Sequence, residues 1–211
     1  MRVEILHLPP DPLRILWTAA RTCYSALPPH ELWERAAAED REKMLSLIRK
    51  IWEHGHHSVI EHVSVTYAVS GISRTCLAQL TRHRIGVSFS VQSQRHVAAG
   101  KGRARFGAVE PPSVTANPAA CTFFQEFLDR AQEAYNRLLE LGIPKEDARF
   151  VLPGAAATNL VVTLNLRSLW ELWRKRVAVP GAQWEIKELV LRMVALLGER
   201  EPWLGELFGQ R

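Results

Sequence analysis

Residues His62-Val63-Ser64-Val65-Thr66-Tyr67-Ala68-Val69-Ser70 alternate with a period of two. Val63, Val65, Tyr67 and Val69 point to one side, and Ser64, Thr66, Ala68 and Ser70 to the other, as in a strand with one buried face. Outward from this strand the period changes on both sides. Downstream, a helix is expected from about Ser73, with Cys76, Leu77 and Leu80 on its buried face. Gln79, Arg82 and His83, at i, i+3 and i+4, are expected on a different face of that helix. Upstream, His30 to His54 reads as helical. Met44, Leu45, Ile48, Ile51 and Trp52 recur at three- and four-residue steps there, and Gly55 supplies the stop.

The two ends complete the pattern. RVEILHL at the N-terminus reads as a short edge strand followed by prolines, and Asp11-Pro12 opens a short helix through Arg21. Beyond a loop with Pro111, Pro112 and Ser113, a long amphipathic helix is expected from Pro118 to Leu141. Phe124, Phe127, Leu128, Ala131, Tyr135, Leu138 and Leu141 should face inward, with Gly142 and Pro144 ending it. A short helix carries Arg149 up to Pro153. Thr158 to Leu166 is β-rich, and helices are expected over Ser168–Val177 and Ala182–Leu197. Strands and helices do not alternate regularly. The expected class is therefore α+β, a mixed and mainly antiparallel sheet packed with long helices, in a single domain over residues 1–211.

Composition narrows the function classes. Hydrophobic residues make up 47% and charged residues 23% of the 211, as in ordinary globular proteins. No apolar run reaches the ~20 residues of a membrane-spanning helix. Glu4, two prolines and Asp11 interrupt the N-terminus where a signal peptide would stay apolar. Three separated cysteines, Cys23, Cys76 and Cys121, suit a reducing compartment and a cytoplasmic protein, with neither a disulfide framework nor a cysteine zinc site. The net charge of +5 is unevenly placed. Between Glu61 and Glu110 there is no acidic residue, yet Arg74, Arg82, Arg84, Arg95, Lys101, Arg103 and Arg105 all fall there. Such a block calls for counter-ions, nucleic acid or a phosphorylated small molecule.

The chemistry concentrates in Arg82-His83-Arg84-Ile85-Gly86-Val87-Ser88-Phe89-Ser90-Val91-Gln92-Ser93-Gln94-Arg95. Two guanidiniums flanking an imidazole need anionic or strongly accepting partners. Arginine grips phosphate through paired donors. Gln92, Ser93, Gln94 and Arg95 add amides, a hydroxyl and a further cation that could read a base edge and its phosphate together. An Arg-His-Arg triplet, eight residues and then Ser-x-Arg resembles the signature of the flavin-dependent thymidylate synthases. HGHHSVIEH (His54–His62), DARFVLP (Asp147–Pro153), NLRSL (Asn165–Leu169) and GAQWEI (Gly181–Ile186) resemble four further segments of that family, in its order and near its spacing.

The resemblance implies specific roles. Arg82, His83 and Arg84 should meet FAD, as should His56, Ser58, Gln92 and Glu171, and Asn165, Leu166 and Arg167 should hold it from a neighbouring subunit. Gln79, Arg82, Gln92, Ser93, Gln94, Arg95 and Arg149 should hold dUMP. Arg176 is implied as the catalytic arginine, favouring ionisation at N3 of the uracil. The implied reaction methylates dUMP with a one-carbon unit from methylenetetrahydrofolate, the flavin carrying unit and electrons and NADPH reducing it, with no protein nucleophile. A homotetramer with shared sites is implied, and neither nucleic acid nor membrane is an expected partner. Three positions depart from the family's pattern. His96 stands where an aromatic, usually Tyr, is expected. Val91 stands where a Glu or Gln is expected, a place the extra loop residue passes to Gln92. Glu171 stands where His or Asn is expected, and its carboxylate would disfavour an anionic reduced ring unless Arg174 or Lys175 screens it.

Two rival readings carry less. His54, His56, His57, Glu61 and His62 are dense enough to suggest a metal hydrolase, but HExxH is absent and HxxEH is missed by one residue. Lys101–Arg105 (KGRAR), with pI ≈ 9.4, could bind a nucleic-acid backbone, but it accompanies no known module and reads better as a flexible, solvated basic loop. Rossmann and P-loop glycine patterns are missing.

Overall fold

The computed structural model describes residues 1–101 and 103–209; Gly102, inside the basic Lys101–Arg105 stretch, and residues 210 and 211 lie outside the described residues. The chain begins with β1 (Arg2–His7), α1 (Pro12–Thr22), α2 (Pro29–Ala36) and α3 (Arg41–Glu53). A 3-10 turn at Val59–His62 leads into β2 (Ser64–Ser73), α4 (Arg74–Leu80) and β3 (Val87–Val91). Then come α5 (Pro112–Thr115), α6 (Pro118–Glu140), α7 (Lys145–Ala148) and a second 3-10 turn, Arg149–Val151. β4 (Ala157–Asn165), α8 (Leu166–Arg176), α9 (Trp184–Arg200) and α10 (Pro202–Gly209) close the described chain.

The strands form one sheet in the order β1-β2-β4-β3, so β1 is an edge strand as its sequence suggested. Leu166 N–H donates to the Val63 carbonyl near one end of β2, and Gly71 N–H donates to the Asn159 side chain near the other, so β2 and β4 run antiparallel. Gln92 N–H to Asn159 O and Asn165 N–H to Gly86 O make β3 antiparallel to β4 in the same way. The α+β, antiparallel expectation agrees with this topology. The alternation in β2 also has its expected result: Val63, Val65, Tyr67 and Val69 are buried, and the Tyr67 hydroxyl donates to the Met193 carbonyl at 3.0 Å.

By contacts the chain divides into two compact units. The first comprises Met1–Arg2, Val69–Arg82 and Ser90–Leu160. Its core gathers Phe106, Leu128, Ala131 and Ala156, with Phe124 and Leu152 packed against them. In α6, Asn117 caps the first turn through Ala120 N–H, and Leu128, Ala131 and Tyr135 form the buried stripe. Phe127 and Leu141 were expected on that stripe but are exposed by 48% and 61%. Residue 127 stands at the edge of the stripe, about 100° from Leu128 and about 40° from Ala131. Leu141 is the C-cap, after which Gly142 turns the chain with φ of +84°.

The second unit comprises Val3–Ala68, His83–Phe89 and Val161–Arg211. Here α1 packs on α2, α3 and the Val59–His62 turn, and α9 packs on α8 and α10. The continuous helix expected from His30 to His54 is two helices. Asp40 interrupts it, its carboxylate capping α3 by accepting Lys43 N–H at 2.9 Å. Three further elements differ from expectation. α4 stops at Leu80, so Arg82 and His83 leave the helix and the helical-face argument linking them to Gln79 does not hold. β3 replaces the expected loop. α10, absent from the sequence reading, starts on Pro202 and buries Trp203, Leu204, Leu207 and Phe208, its Gly205 close against Gly198 of α9. Among the described residues no helix is long and apolar enough to cross a membrane.

Candidate active site

In the first unit the chemistry starts at the entrance to α4. Ser73 caps the helix through Cys76 N–H, and Arg74 follows as its first residue. The Arg74 guanidinium donates from Nη2 to the Gln92 carbonyl at 2.9 Å, while its Nε is buried with no hydrogen-bond partner among the described residues. Burial, and secondarily the nearby positive charge of Arg149, lowers the Arg74 pKa. Arg149 donates from Nε to the Glu146 carbonyl at 2.9 Å, and Arg95 Nε meets the Glu146 carboxylate at 2.8 Å. Of the three guanidiniums only that of Arg95 meets the Glu146 carboxylate; Arg149 bonds the backbone of the same residue, and Arg74 feels the charge of Arg149. Like charges as near as those of Arg74 and Arg149 favour a bound anion, a need that a phosphate group could meet.

The residues leading to Arg95 are shaped by local bonds. Gln92 N–H donates to the Asn159 carbonyl, and the Gln92 side-chain oxygen accepts from Asn159 Nδ2 at 3.1 Å. The Ser93 hydroxyl accepts Arg95 N–H at 3.2 Å, and the Ser93 carbonyl accepts Val97 N–H, which closes a tight turn. That bonding suits Ser93 as a hydrogen-bonding group. Gln94 is half-buried, Gln79 is half-buried at the end of α4, and Arg82 and His96 are exposed.

In the second unit, α8 organises the other expected residues. Asn165 caps it through Ser168 N–H at 2.8 Å, and the Ser168 hydroxyl donates to the Ile85 carbonyl at 2.7 Å. With Asn165 N–H on the Gly86 carbonyl, these bonds fasten the Ile85-Gly86 turn to the start of the helix. Gly86 has φ of +65°, and a Cβ there would come within 2.7 Å of the Asn165 side chain, so only glycine fits. At the other end of α8, Arg176 Nε donates to His83 Nε2 at 3.1 Å. A guanidinium N–H always donates, so this His83 nitrogen accepts and the neutral ring carries its proton on Nδ1.

Glu171 lies amid cations: Arg167 at 3.9 Å, Arg174 at 3.8 Å and Lys175 at 3.8 Å. The screening its carboxylate needs is therefore present. Arg167 also reaches Glu61 at 3.6 Å. His56, Ser58 and Arg84 are exposed, whereas Leu166 is 2% exposed, so only its backbone can meet a ligand. His57 is not poised as a metal ligand. Its ring packs against Trp170 at 4.1 Å and Trp52 at 5.2 Å, and among the described residues no group of three His, Cys, Asp or Glu is placed to hold a metal ion.

Arg74, counted in the basic block, was given no site role by sequence reasoning. A cation in the first turn of a helix opposes the helix dipole, and that local mismatch was the available signal.

Comparisons with known proteins bear on the family. Residues 4–203 match the family model described as Thymidylate synthase complementing protein. A flavin-dependent thymidylate synthase of Nitratidesulfovibrio vulgaris is 41% identical, over 96% of this chain and 84% of that protein. One from Geobacter sulfurreducens is also 41% identical, over 93% of this chain and 82% of its own length. Among solved structures, a UMP/dUMP methylase PolB of Streptomyces cacaoi, bound with 5-Br dUMP, aligns with a TM-score of 0.80 at 25% identity, covering 99% of this chain and 94% of that one. By its motifs, its fold and these relatives, the chain belongs to the flavin-dependent thymidylate synthase family.

Proposed function

We propose that this protein converts dUMP to dTMP by reductive methylation, with FAD as carrier, methylenetetrahydrofolate as carbon donor and NADPH as reductant. The observation that carries the reading is the nearness of the Arg74 and Arg149 charges, with Arg95 joined to Arg149 through Glu146 and a buried Arg74 Nε that has no partner among the described residues. A nucleoside monophosphate supplies the charge that this seat lacks. The relatives' names and the brominated dUMP bound to the methylase support the same substrate.

The roles divide along the two clusters. Arg95 and Arg149, joined by Arg74, hold the phosphate, and Gln79, Arg82, Gln92, Ser93 and Gln94 hold the nucleoside. Arg176 supplies positive charge to the uracil as negative charge builds on it, while its Nε keeps His83 neutral and oriented. His56, Ser58, Arg84, Asn165 and Arg167, with the Leu166 backbone, suit FAD: they offer cations and hydrogen-bonding groups at exposed or half-buried positions, and Ile85, 92% exposed, offers apolar surface to a flat ring. Glu171 trims the excess charge of that group. When bound, the flavin supplies the electrons and the carrier atom for the one-carbon unit.

One domain is the simplest account, because the family match runs through segments of both units. The exposed free thiol of Cys23 suits a cytoplasmic setting. A homotetramer with sites shared between subunits completes the reading.

The experiment is direct. Purified protein should be yellow, release FAD on denaturation and form dTMP from dUMP, methylenetetrahydrofolate and NADPH. Arg176→Ala should keep its flavin and lose at least about 100-fold in turnover. A folded, colourless preparation indifferent to FAD and dUMP would refute the reading, and full activity in the variant would remove Arg176 from its role.

A further inference from the structure

Neither charge cluster uses the basic stretch Lys101–Arg105, and its neighbours in the first unit are held in place. Gly100, with φ of +75°, lies where a Cβ would come within 2.8 Å of Gln132 Oε1. Gln132, 5% exposed, accepts Phe106 N–H at 2.9 Å and donates to the Ala99 carbonyl. The Tyr135 hydroxyl accepts Ala99 N–H, and the Gly107 carbonyl accepts Ala157 N–H. Arg105 spans Asp129 at 2.8 Å and Gln125. The flanks of this stretch are thus fastened to α6 and β4, while Lys101 and Arg103 themselves are exposed.

This segment bounds a cavity of about 370 Å³, whose polar lining includes Lys101, Arg103, Gln92, Gln94 and Asn159. Phe106 and Leu152 supply apolar wall, and no Asp or Glu lines it. Arg105 also lines it, but Asp129 balances that charge. Two cations remain in excess, and the volume exceeds the needs of a single small anion.

We propose that this cavity binds the polyanionic tail of the second small-molecule substrate rather than the nucleotide. The proposal rests on the functional reading above, because Gln92 and Gln94 belong both to the cavity and to the proposed dUMP contacts. An occupant of the cavity therefore lies alongside the nucleotide. The shared chemistry is a group with at least two negative charges, and two proposed substrates carry one: the glutamyl carboxylates of the folate and the phosphates of the reduced nicotinamide dinucleotide.

The test compares wild-type holoenzyme with a Lys101→Ala/Arg103→Ala double variant, reading dissociation constants without turnover. One arm measures methylenetetrahydrofolate with one glutamate against the same compound with several. The other measures NADPH against NADH, which lacks the 2′-phosphate. The wild type should prefer the more anionic ligand in one arm, and the double variant should lose that preference, by up to about 25-fold if each exposed pair contributes about fivefold. Flavin content and dUMP affinity should stay unchanged, and Lys101→Arg/Arg103→Lys should restore the preference. No preference in either arm, or one that survives the double variant, overturns the proposal. Weakened dUMP binding with both preferences intact overturns it too, by giving the cavity to the nucleotide. Because binding is read without turnover, a wild type that forms no dTMP sinks the functional reading alone.

Discussion

His57 is quoted within a histidine-rich segment that invites a metal, yet its surroundings make it a packed aromatic. Burial, the largest influence, lowers its pKa below the ordinary 6.5. Arg167 and Arg174 act in the same direction, while the Trp52 carbonyl and Glu171 oppose them. The folded protein therefore takes up this proton less readily than the unfolded chain. Stability is intact above about pH 6.5 and falls as the pH drops from there toward the lower folded value. Thermal melts between about pH 7.5 and pH 5 should show wild type losing more melting temperature than His57→Phe, which keeps a ring between the tryptophans. Equal losses would remove His57 as the cause. Residue identity alone could not foresee this packing, since Trp170 arrives from a distant helix. The arginines between residues 82 and 105 were legible as cations in want of counter-charge, because nothing between Glu61 and Glu110 could neutralise them. Their actual counter-charges, Glu146 for Arg95 and Asp129 for Arg105, come from outside that block.

Elements were legible in proportion to their length and the clarity of their caps. β2 and α6 announce themselves by sustained period, and Asn117 and Ser73 mark helix starts that the structure keeps. β3 is harder. Val87, Phe89 and Val91 alternate with Ser88 and Ser90, but five residues fit a loop equally well, and only pairing with β4 makes them a strand. The GAQWEI segment carries a structural duty that its resemblance does not reveal. Gln183 caps α9, its side-chain oxygen accepting both Glu185 N–H at 3.0 Å and Ile186 N–H at 3.1 Å. Gln183→Ala should cost about 1 kcal/mol. The melting temperature should fall by roughly 2–4 °C, with Gln183→Ser recovering most of the loss. An alanine variant that melts with wild type would show the cap to be dispensable.

For the whole molecule, the proposed homotetramer makes a prediction of mass. Light scattering on the flavin-loaded protein should give four times the 23.9 kDa chain. A monomer that still binds FAD tightly would contradict shared sites. The amino-acid order by itself determined the α+β class, the main helices and the family's motifs, because these depend on short-range periodicity and on residue types at fixed spacing. It also determined that residues 62–109 carry positive charge with no acid among them. Only the tertiary structure decided which cations converge. Arg74, Arg95 and Arg149 are far apart in the chain, and the bonds of Arg95 and Arg149 to Glu146, with Arg74 near Arg149, depend on how α4, the turn after β3 and α7 are packed. The contact of Arg176 with His83, and the fastening of the flanks of Lys101–Arg105 around a cavity, are likewise long-range. Such contacts are selected by the burial of a common core, which no local pattern encodes.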